Sequence, residues 1–301
     1  MTSDMVVLSF PDAAGQASML AASLLSEQGR VSAAEITVHR FPDGESRVAV
    51  PVPLPDHVVI LCSLNQPNEK LIELLLAASA ARANGVKRLI LVAPYLCYMR
   101  QDTAFHPGEA ISQQVIGMLL ADAFDGVVTV DPHLHRVHQL KQAIPASKAL
   151  ALSATVLMGD FIASRVEQPL LLGPDEESQQ WVDAIAAGRG FDVAVAEKQR
   201  LGDSDVQIHL PADISVAGRH IVLVDDVAST GRTLLAAVEA AKAAGAASVS
   251  AIITHALFAG DAWPRLQAAE LDAIWSTDSI VHSSNVISLA PLLANGVNSC
   301  L

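Results

Sequence analysis

The sequence contains few charged residues and little positive charge. Only 17% of its 301 residues are charged, with 32 acidic residues against 19 basic ones. The resulting net charge of -13 argues against nucleic acid as the main partner, because nucleic-acid binding depends on clustered positive charge. Hydrophobic residues make up 51% of the chain. We therefore expect sizeable buried cores, with further apolar surface lost to contacts between subunits.

Cysteines are scarce, and long hydrophobic runs are absent. Cys62, Cys97 and Cys300 are widely spaced and form no CxxC pair, which is typical of reduced thiols in a cytoplasmic protein. The first residues, MTSDMVVLSF, lack the basic region and long apolar stretch of a signal peptide. No apolar run approaches the roughly 20 residues of a membrane span. The expectation is a cytoplasmic protein that makes no use of a membrane.

Short runs rich in Val and Ile alternate with helix-length segments along the whole chain. This alternation is typical of α/β proteins in which helices cover both faces of a parallel sheet. The predicted strands are Val6–Ser9, Ile36–His39, Val58–Cys62, Leu89–Ala93, Val127–Val130, Leu170–Leu172, Val193–Ala196, Ile221–Val224, Val249–Thr254 and Ile274–Ser276. The predicted helices are Glu69–Ala83, Ile111–Ala123, Leu152–Ala163, Gln179–Ala187 and Thr233–Ala244.

The length of the chain favours two domains of about 150 residues each. The strings TVDPH (129–133) and LVDDV (223–227) are both a strand followed by aspartate, which hints at two similar units. The segment Lys141–Ser147 has little periodicity and is the best candidate for a linker. We therefore predict one domain over residues 1–144 and a second over residues 145–301.

The segment Val222–Leu234, VLVDDVASTGRTL, carries the clearest chemistry. A strand is followed by a short loop with hydroxyl side chains and a glycine, and the loop opens into a helix. The N-terminus of a helix favours a phosphate, because its N–H groups lack intrahelical acceptors and the helix dipole is positive there. Asp225 and Asp226 disfavour an anion but suit sugar hydroxyls or a metal. The combination predicts a binding site for a pentose 5-phosphate.

Five further motifs follow predicted strands, where ligands bind in open parallel sheets. They are FPDGE (41–45), PYLCYMRQD (94–102), TVDPH (129–133), GPD (173–175) and EKQR (197–200). The aromatic ring of Phe41 can stack on a purine, and Arg100 offers a planar fork for phosphate. Lys198 and Arg200 precede a polar, glycine-containing stretch, and such a pair of cations suits a phosphoryl or pyrophosphoryl group in transfer.

Together, and in this order, the six motifs resemble those of the ribose-phosphate pyrophosphokinase family over nearly the whole chain. The resemblance implies an α/β fold of two similar type I phosphoribosyltransferase-like domains, each a parallel sheet flanked by helices. Residues 1–144 would form the ATP side, and residues 145–301 the ribose 5-phosphate side. It also implies Mg²⁺-dependent transfer of pyrophosphate from ATP to C1 of ribose 5-phosphate, giving phosphoribosyl diphosphate (PRPP) and AMP for nucleotide biosynthesis. The segment FHPGEAIS and the short C-terminus are closer to the archaeal-type branch.

The resemblance also assigns roles to individual residues. Lys198 and Arg200 take the catalytic positions, and His133 and Asp175 the metal-associated ones. The ATP-binding positions are Phe41, Asp43, Gly44, Glu45, Arg100 and Gln101. The ribose 5-phosphate-binding positions are Asp225, Asp226, Ser229, Thr230, Gly231, Arg232 and Thr233. Departures from the family pattern occur at Gln199, Glu176, Glu177, Ser229 and Arg232.

Three alternatives remain open from the sequence alone. The chain could consume PRPP as a transferase, act as a catalytically silent paralogue, or use another sugar phosphate or nucleotide. In the family, the turn that carries Phe41 reaches the nucleotide site of a neighbouring subunit. We therefore expect a homodimer or a larger homo-oligomer, with no nucleic acid and no membrane as partner.

Overall fold

The structure is a computed structural model that describes residues 4–24, 29–200, 206–212 and 214–301, without the side chains of Arg200 and Val206. The chain forms two compact units. The first comprises Met1–Leu152 together with Leu289–Leu301, and the second is Ser153–Ser288. Among the described residues, no helix combines the length and the hydropathy that a membrane crossing requires.

The first unit is built on six parallel strands and an additional two-stranded hairpin. Its strands are β1 (Met5–Ser9), β2 (Val31–Glu35), β3 (Thr37–Arg40), β4 (Ser46–Ala49), β5 (His57–Leu61), β6 (Arg88–Ala93), β7 (Gly126–Val130) and β8 (Lys148–Leu152). Its helices are α1 (Ala14–Leu24), α2 (Pro67–Ala83), α3 (Ser112–Ala123) and α4 (Leu140–Ala143), with a short 3-10 helix at Pro11–Ala13. The sheet order is β2-β1-β5-β6-β7-β8, and β3 pairs with β4 antiparallel.

The second unit repeats this plan. Its strands are β9 (Leu170–Gly173), β10 (Asp192–Val195), β11 (Glu197–Arg200), β12 (Val206–His209), β13 (His220–Ala228), β14 (Ser248–Ala256), β15 (Ala273–Thr277) and β16 (Asn285–Ile287). Its helices are α5 (Thr155–Ala163), α6 (Gln179–Ala186), α7 (Arg232–Ala243) and α8 (Ala262–Ala268), with a 3-10 helix at Glu176–Ser178. The parallel sheet runs β10-β9-β13-β14-β15-β16, and β11 pairs with β12 antiparallel.

Both sheets have the fully buried inner strands that are typical of parallel sheets. Every residue of β1, β7 and β9 is buried, as a strand covered on both faces requires. The predicted α/β class, with two similar parallel sheets flanked by helices, is thus confirmed. Cys62, Cys97 and Cys300 are free and buried, as expected of reduced thiols.

The last helix, α9 (Ala290–Cys300), belongs to the first unit. A Cβ at Gly296 would lie 2.7 Å from Cγ1 of Val128 and 2.8 Å from Cδ1 of Leu152, so only glycine permits this close approach. The Nε of Arg88 donates to the carbonyl of Cys300 at 3.2 Å. These contacts place the C-terminal residues with the first unit, whereas the sequence assigned residues 145–301 to the second domain.

The proposed linker at Lys141–Ser147 lies inside the first unit. It contains the end of α4 and a short connection to β8, and the chain passes to the second unit after Leu152. A one-turn helix is too short to leave a helical period in the sequence. The boundary predicted at 144/145 therefore differs from the observed one at 152/153.

Candidate active site

The segment predicted to bind phosphate forms a loop between β13 and α7. Gly231 is the N-cap of α7 and has φ +69°, a left-handed conformation that side chains disfavour. A Cβ there would also lie only 3.2 Å from Cδ1 of Leu266. The N–H groups of the first helical turn have no intrahelical acceptor. Ser229 and Thr233 are half-buried and Thr230 is exposed, so the loop offers hydroxyl groups beside those N–H groups.

The two aspartates lie within β13, because that strand continues to Ala228 instead of ending at Val224. Asp226 is buried. Burial raises the pKa of Asp225 well above its ordinary value, and the negative charges of Asp226 and Asp175 raise it further, while Lys198 opposes them. This end of the sheet therefore concentrates negative charge, which hydroxyl donors or a cation would relieve.

The predicted catalytic lysine meets the predicted metal-associated aspartate. The Nζ of Lys198 lies 3.0 Å from Oδ2 of Asp175, and both side chains are largely buried. The hydroxyl of Ser178 donates to the other carboxylate oxygen, Oδ1, at 3.1 Å. Asp175 lies two residues after β9, so the contacts of Lys198 and Ser178 hold it from two sides at the carboxyl end of the sheet.

The segment Glu197–Arg200 forms one strand of a hairpin. β11 pairs with β12 so that Lys198 lies opposite Ile208. A cavity of about 600 Å³ is lined by Asp175, Glu176, Glu177, Glu197, Lys198, Gln199 and His209. The departures Glu176, Glu177 and Gln199 thus line the same cavity as the lysine. The side chain of Arg200 and residues 201–205 lie outside the described part of the chain.

In the first unit, FPDGE forms the turn between β3 and β4. The N–H of Phe41 donates to the carbonyl of Glu45 at 2.8 Å, and the N–H of Gly44 donates to the carbonyl of Phe41 at 3.0 Å. The N–H of Glu45 donates to Oδ1 of Asp43 at 3.2 Å, so this carboxylate stabilises its own turn. The ring of Phe41 is 41% exposed and contacts His39 edge-on, with ring centroids 4.8 Å apart. The side chain of Phe41 is therefore partly accessible to a ligand.

A buried glutamate that the sequence analysis missed anchors this hairpin. Glu73 on α2 accepts from the hydroxyl of Ser46 at 2.9 Å and lies 3.3 Å from the guanidinium of Arg40. Ser46 and Arg40 belong to the two strands of the hairpin. A cavity of about 680 Å³ lies between the hairpin and α2, and its lining includes Phe41, Ile72 and Glu73. The fold alone brings Glu73 to the hairpin, since 27 residues separate it from Ser46.

The RQD segment follows β6. Arg100 is exposed, and within the described residues it takes part in no ion pair. Gln101 accepts from the hydroxyl of Ser112 at 2.7 Å, which fixes its amide. Although burial raises the pKa of Asp102, hydrogen bonds from the backbone N–H and the guanidinium of Arg136 outweigh this effect and lower it. Asp102 is therefore an ionised partner of Arg136.

His133 follows β7 after a distorted backbone. Asp131 is buried and has φ +38°, an unusual conformation for a residue other than glycine. The rings of His133 and His135 are in edge contact, with centroids 4.3 Å apart. His133 is half-buried, so its ring is partly accessible at the carboxyl end of the first sheet.

Comparison with known proteins gives matches along most of the chain. Residues 13–123 match the N-terminal domain of ribose phosphate pyrophosphokinase, and residues 143–288 match the phosphoribosyl transferase domain. The ribose-phosphate pyrophosphokinase of Methanopyrus kandleri is 35% identical over 279 residues, which cover 91% of this chain and 94% of that protein. The ribose-phosphate pyrophosphokinase of Methanosarcina acetivorans is 32% identical over 284 residues, covering 94% of this chain and 97% of that protein.

A solved structure supports the same fold. The phosphoribosylpyrophosphate synthetase of Mycobacterium smegmatis superimposes with a TM-score of 0.82, covering 99% of this chain and 98% of that one. Its sequence identity is 23%, so the match speaks for the fold alone. The assignment to a family rests on the family models and on the archaeal relatives described above. By its sequence and its fold, the chain belongs to the ribose-phosphate pyrophosphokinase family.

Proposed function

We propose that this chain transfers pyrophosphate from MgATP to C1 of ribose 5-phosphate, giving PRPP and AMP. One observation carries the proposal: Lys198 reaches Asp175 at the carboxyl end of the sheet that also carries Asp225 and the phosphate loop. A positive charge on a hairpin is thereby brought to the point where a sugar phosphate would bind. Charge stabilisation at the transferring group is the main requirement of such a reaction.

The sugar phosphate binds in the second unit. The 5-phosphate lies at the N-terminus of α7, where it accepts from backbone N–H groups and from the hydroxyls of Ser229, Thr230 and Thr233. Arg232 is exposed at the first helical position and adds a positive charge. Asp225 and Asp226 accept hydrogen bonds from the two ring hydroxyls. The phosphate and the hydroxyl contacts together orient C1.

The nucleotide binds on the first unit. The exposed ring of Phe41 stacks on the purine of a nucleotide bound by the neighbouring subunit, and Asp43 and Glu45 accept from its exocyclic amine, with Gly44 holding the turn. Arg100 binds a phosphate through its planar guanidinium, and the fixed amide of Gln101 adds a polar contact.

The residues of the second unit fit a magnesium ion. Asp175, Asp225 and Asp226 supply hard oxygen donors, which Mg²⁺ prefers. Burial, and then the negative charges of Asp226 and Asp175, raise the pKa of Asp225, and a divalent cation would offset the repulsion between these carboxylates. When bound, Mg²⁺ would neutralise part of the negative charge on the substrate phosphates. His133 in the first unit remains a proposed metal-associated position as well.

The reaction exchanges one P–O bond for another. The C1 oxygen of ribose 5-phosphate bonds to the β-phosphorus of ATP while its proton passes to solvent, and the bond from that phosphorus to the oxygen shared with the α-phosphate breaks. AMP leaves with the electron pair. Lys198 and Arg200 stabilise the negative charge that develops on the β-phosphate, and their hairpin limits the access of water.

We propose that the protein is cytoplasmic and at least a homodimer. Large apolar side chains are exposed along α2 and α3 of the first unit. They are Ile72, Leu76, Val115, Met118 and Leu119. The spacing of three or four residues places them on one face of each helix. A face of this kind is typical of a subunit interface.

The test is to incubate the protein with ribose 5-phosphate and MgATP and to measure both products. PRPP and AMP should form in equal amounts, with no ADP. Formation of ADP, or hydrolysis of ATP without PRPP, would contradict the proposal. Consumption of added PRPP with a nucleobase, in the absence of AMP formation from ATP, would favour a PRPP-consuming transferase instead.

A further inference from the structure

The segment that follows β14 binds the backbone of the phosphate loop. The N–H of Phe258 donates to the carbonyl of Ala228, and the N–H of Ala259 donates to the carbonyl of Ser229, both at 2.9 Å. Two successive N–H groups thus hold two successive carbonyl groups of the loop. Carbonyl oxygens repel an anion, so a contact that keeps them occupied supports a phosphate site.

The same segment also contacts the far end of the loop. It continues into α8, where Ala262 and Leu266 pack against Gly231. A Cβ at Gly231 would lie 3.5 Å from Cβ of Ala262 and 3.2 Å from Cδ1 of Leu266. The loop is therefore held at Ala228 and Ser229 by hydrogen bonds and at Gly231 by packing.

Phe258 takes a backbone conformation that this arrangement requires. Its φ is +38°, which non-glycine residues adopt at a cost in energy. Such strain persists only where the surroundings hold the residue in place. The cost has no local explanation in the sequence, because phenylalanine has no preference for the left-handed region.

The rings of Trp263 and His282 contact the ring of Phe258 and each other, and they hold Phe258 in place. Its ring centroid lies 5.0 Å from that of Trp263 and 4.7 Å from that of His282, and the last two rings lie 4.5 Å apart. Phe258 is 8% exposed. The ring of His282 is itself fixed, since its Nδ1 accepts from the backbone N–H of Ser284 at 3.2 Å. We call Phe258, Trp263 and His282 the aromatic cluster.

We propose that the aromatic cluster positions the phosphate loop, so that its three members are positioning residues for ribose 5-phosphate. The cluster fixes the backbone of Phe258, the backbone of Phe258 and Ala259 fixes the loop, and the loop binds the phosphate. The inference rests on the proposed function, because it assigns the loop to ribose 5-phosphate. It adds residues that none of the six motifs contains.

The test compares Phe258→Leu, which removes the ring, with Phe258→Tyr, which keeps it. The dissociation constant of ribose 5-phosphate is measured by calorimetry, and the KM values for both substrates by assay. Phe258→Leu should weaken ribose 5-phosphate about tenfold and leave the KM for ATP unchanged. Phe258→Tyr should retain the wild-type affinity for ribose 5-phosphate. A second variant, Trp263→Leu, has Trp275→Leu as its matched control, because both tryptophans are half-buried and contact a phenylalanine ring. The control should bind ribose 5-phosphate like the wild type.

Two results would overturn the inference. One is wild-type affinity for ribose 5-phosphate in Phe258→Leu, and the other is an equal loss for both substrates, which indicates general damage. If thermal unfolding shows that Phe258→Leu does not fold, Trp263→Leu decides by the same criteria. Wild-type protein that binds ribose 5-phosphate but forms no PRPP would contradict the proposed function alone. Wild-type protein that forms PRPP, with Phe258→Leu unaffected, would contradict only the role of the cluster.

Discussion

The Nζ of Lys198 lies 3.0 Å from Oδ2 of Asp175, which joins the charged hairpin to the carboxyl end of β9. Ser178 holds the other oxygen of the same carboxylate. The ion pair thus holds the lysine at the end of the sheet that also carries Asp225.

Replacing Lys198 by alanine should lower kcat by about 10²–10³-fold and leave the affinity for ribose 5-phosphate nearly unchanged. The reason is that the ammonium acts on charge that develops during transfer, not on the ground state of the sugar phosphate. Steady-state kinetics and calorimetry measure the two effects. Lys242→Ala is the control, because its Nζ donates to the carbonyls of Ala269 and Glu270 on another face of the unit. Near wild-type turnover of Lys198→Ala would remove its catalytic assignment.

The double substitution Asp225→Asn with Asp226→Asn should weaken ribose 5-phosphate and PRPP by about a hundredfold or more, since each lost charged acceptor costs about 1.5–3 kcal/mol. An amide presents donors to the sugar hydroxyls and loses the charge that attracts Mg²⁺. Calorimetry on both ligands is the measurement. Asp183→Asn, on the exposed face of α6, should leave both affinities unchanged. Unaltered binding in the double variant would disprove the sugar-site assignment.

Alanine substitutions at Gly231 and at Gly218 distinguish the effect of backbone strain from that of packing at the phosphate loop. Both have positive φ, +69° and +72°, but a Cβ at Gly231 meets Leu266 whereas one at Gly218 meets nothing within 4 Å. Gly218→Ala should lose about 1–2 kcal/mol of unfolding free energy from strain alone. Gly231→Ala should lose more, and it should also bind ribose 5-phosphate less tightly. Equal losses of stability with unchanged affinity would contradict the packing of α8 against the loop.

Phe41→Ala should raise the KM for ATP about tenfold and leave the KM for ribose 5-phosphate unchanged. The exposed ring contributes little to the stability of its own hairpin, because Glu73 anchors that hairpin through Ser46 and Arg40. Thermal unfolding should therefore be close to that of the wild type. A variant with unchanged kinetics for ATP would exclude stacking of Phe41 on the purine.

Met118→Asp should convert the proposed dimer into a monomer, because it places a charge in the middle of the apolar face of α2 and α3. Light scattering coupled to gel filtration gives the mass. Met19→Asp on α1 is the matched control, since Met19 is also an exposed methionine but lies outside that face. If the wild type is a fully active monomer at assay concentration, the dimer proposal fails and the catalytic proposal remains.

The sequence predicted the buried strands well because those strands are continuous apolar runs. The predicted Leu89–Ala93 and Val127–Val130 coincide with β6 and β7 to within one residue. The edge strands β2 and β8, VSAAE and KALAL, went unpredicted because their side chains are partly exposed and because alanine and leucine favour helices over strands. The helix α9 could not be assigned to the first unit, since that depends on a contact between Gly296 and Val128 that no local pattern encodes.

In the candidate site too, features encoded in one stretch of sequence were predicted, and features that depend on distant partners were not. Contiguous motifs such as FPDGE and VDDVASTGRT were found because their chemistry lies in one stretch of chain. Glu73 and Phe258 were missed because their roles depend on partners elsewhere in the sequence. The extension of β13 through Asp225 and Asp226 was also missed, because carboxylates are rare in buried strands and read as the end of one.

Pyrophosphate is expected to move as a unit from ATP to the sugar, and ATP labelled at its β-phosphorus follows that transfer. The protein is incubated with labelled ATP, Mg²⁺ and ribose 5-phosphate, and the nucleotides and sugar phosphates are separated. All transferred label should appear in PRPP, and the AMP formed should carry none. Label that remains in ADP, or that is released as free pyrophosphate in proportion to AMP, would contradict it.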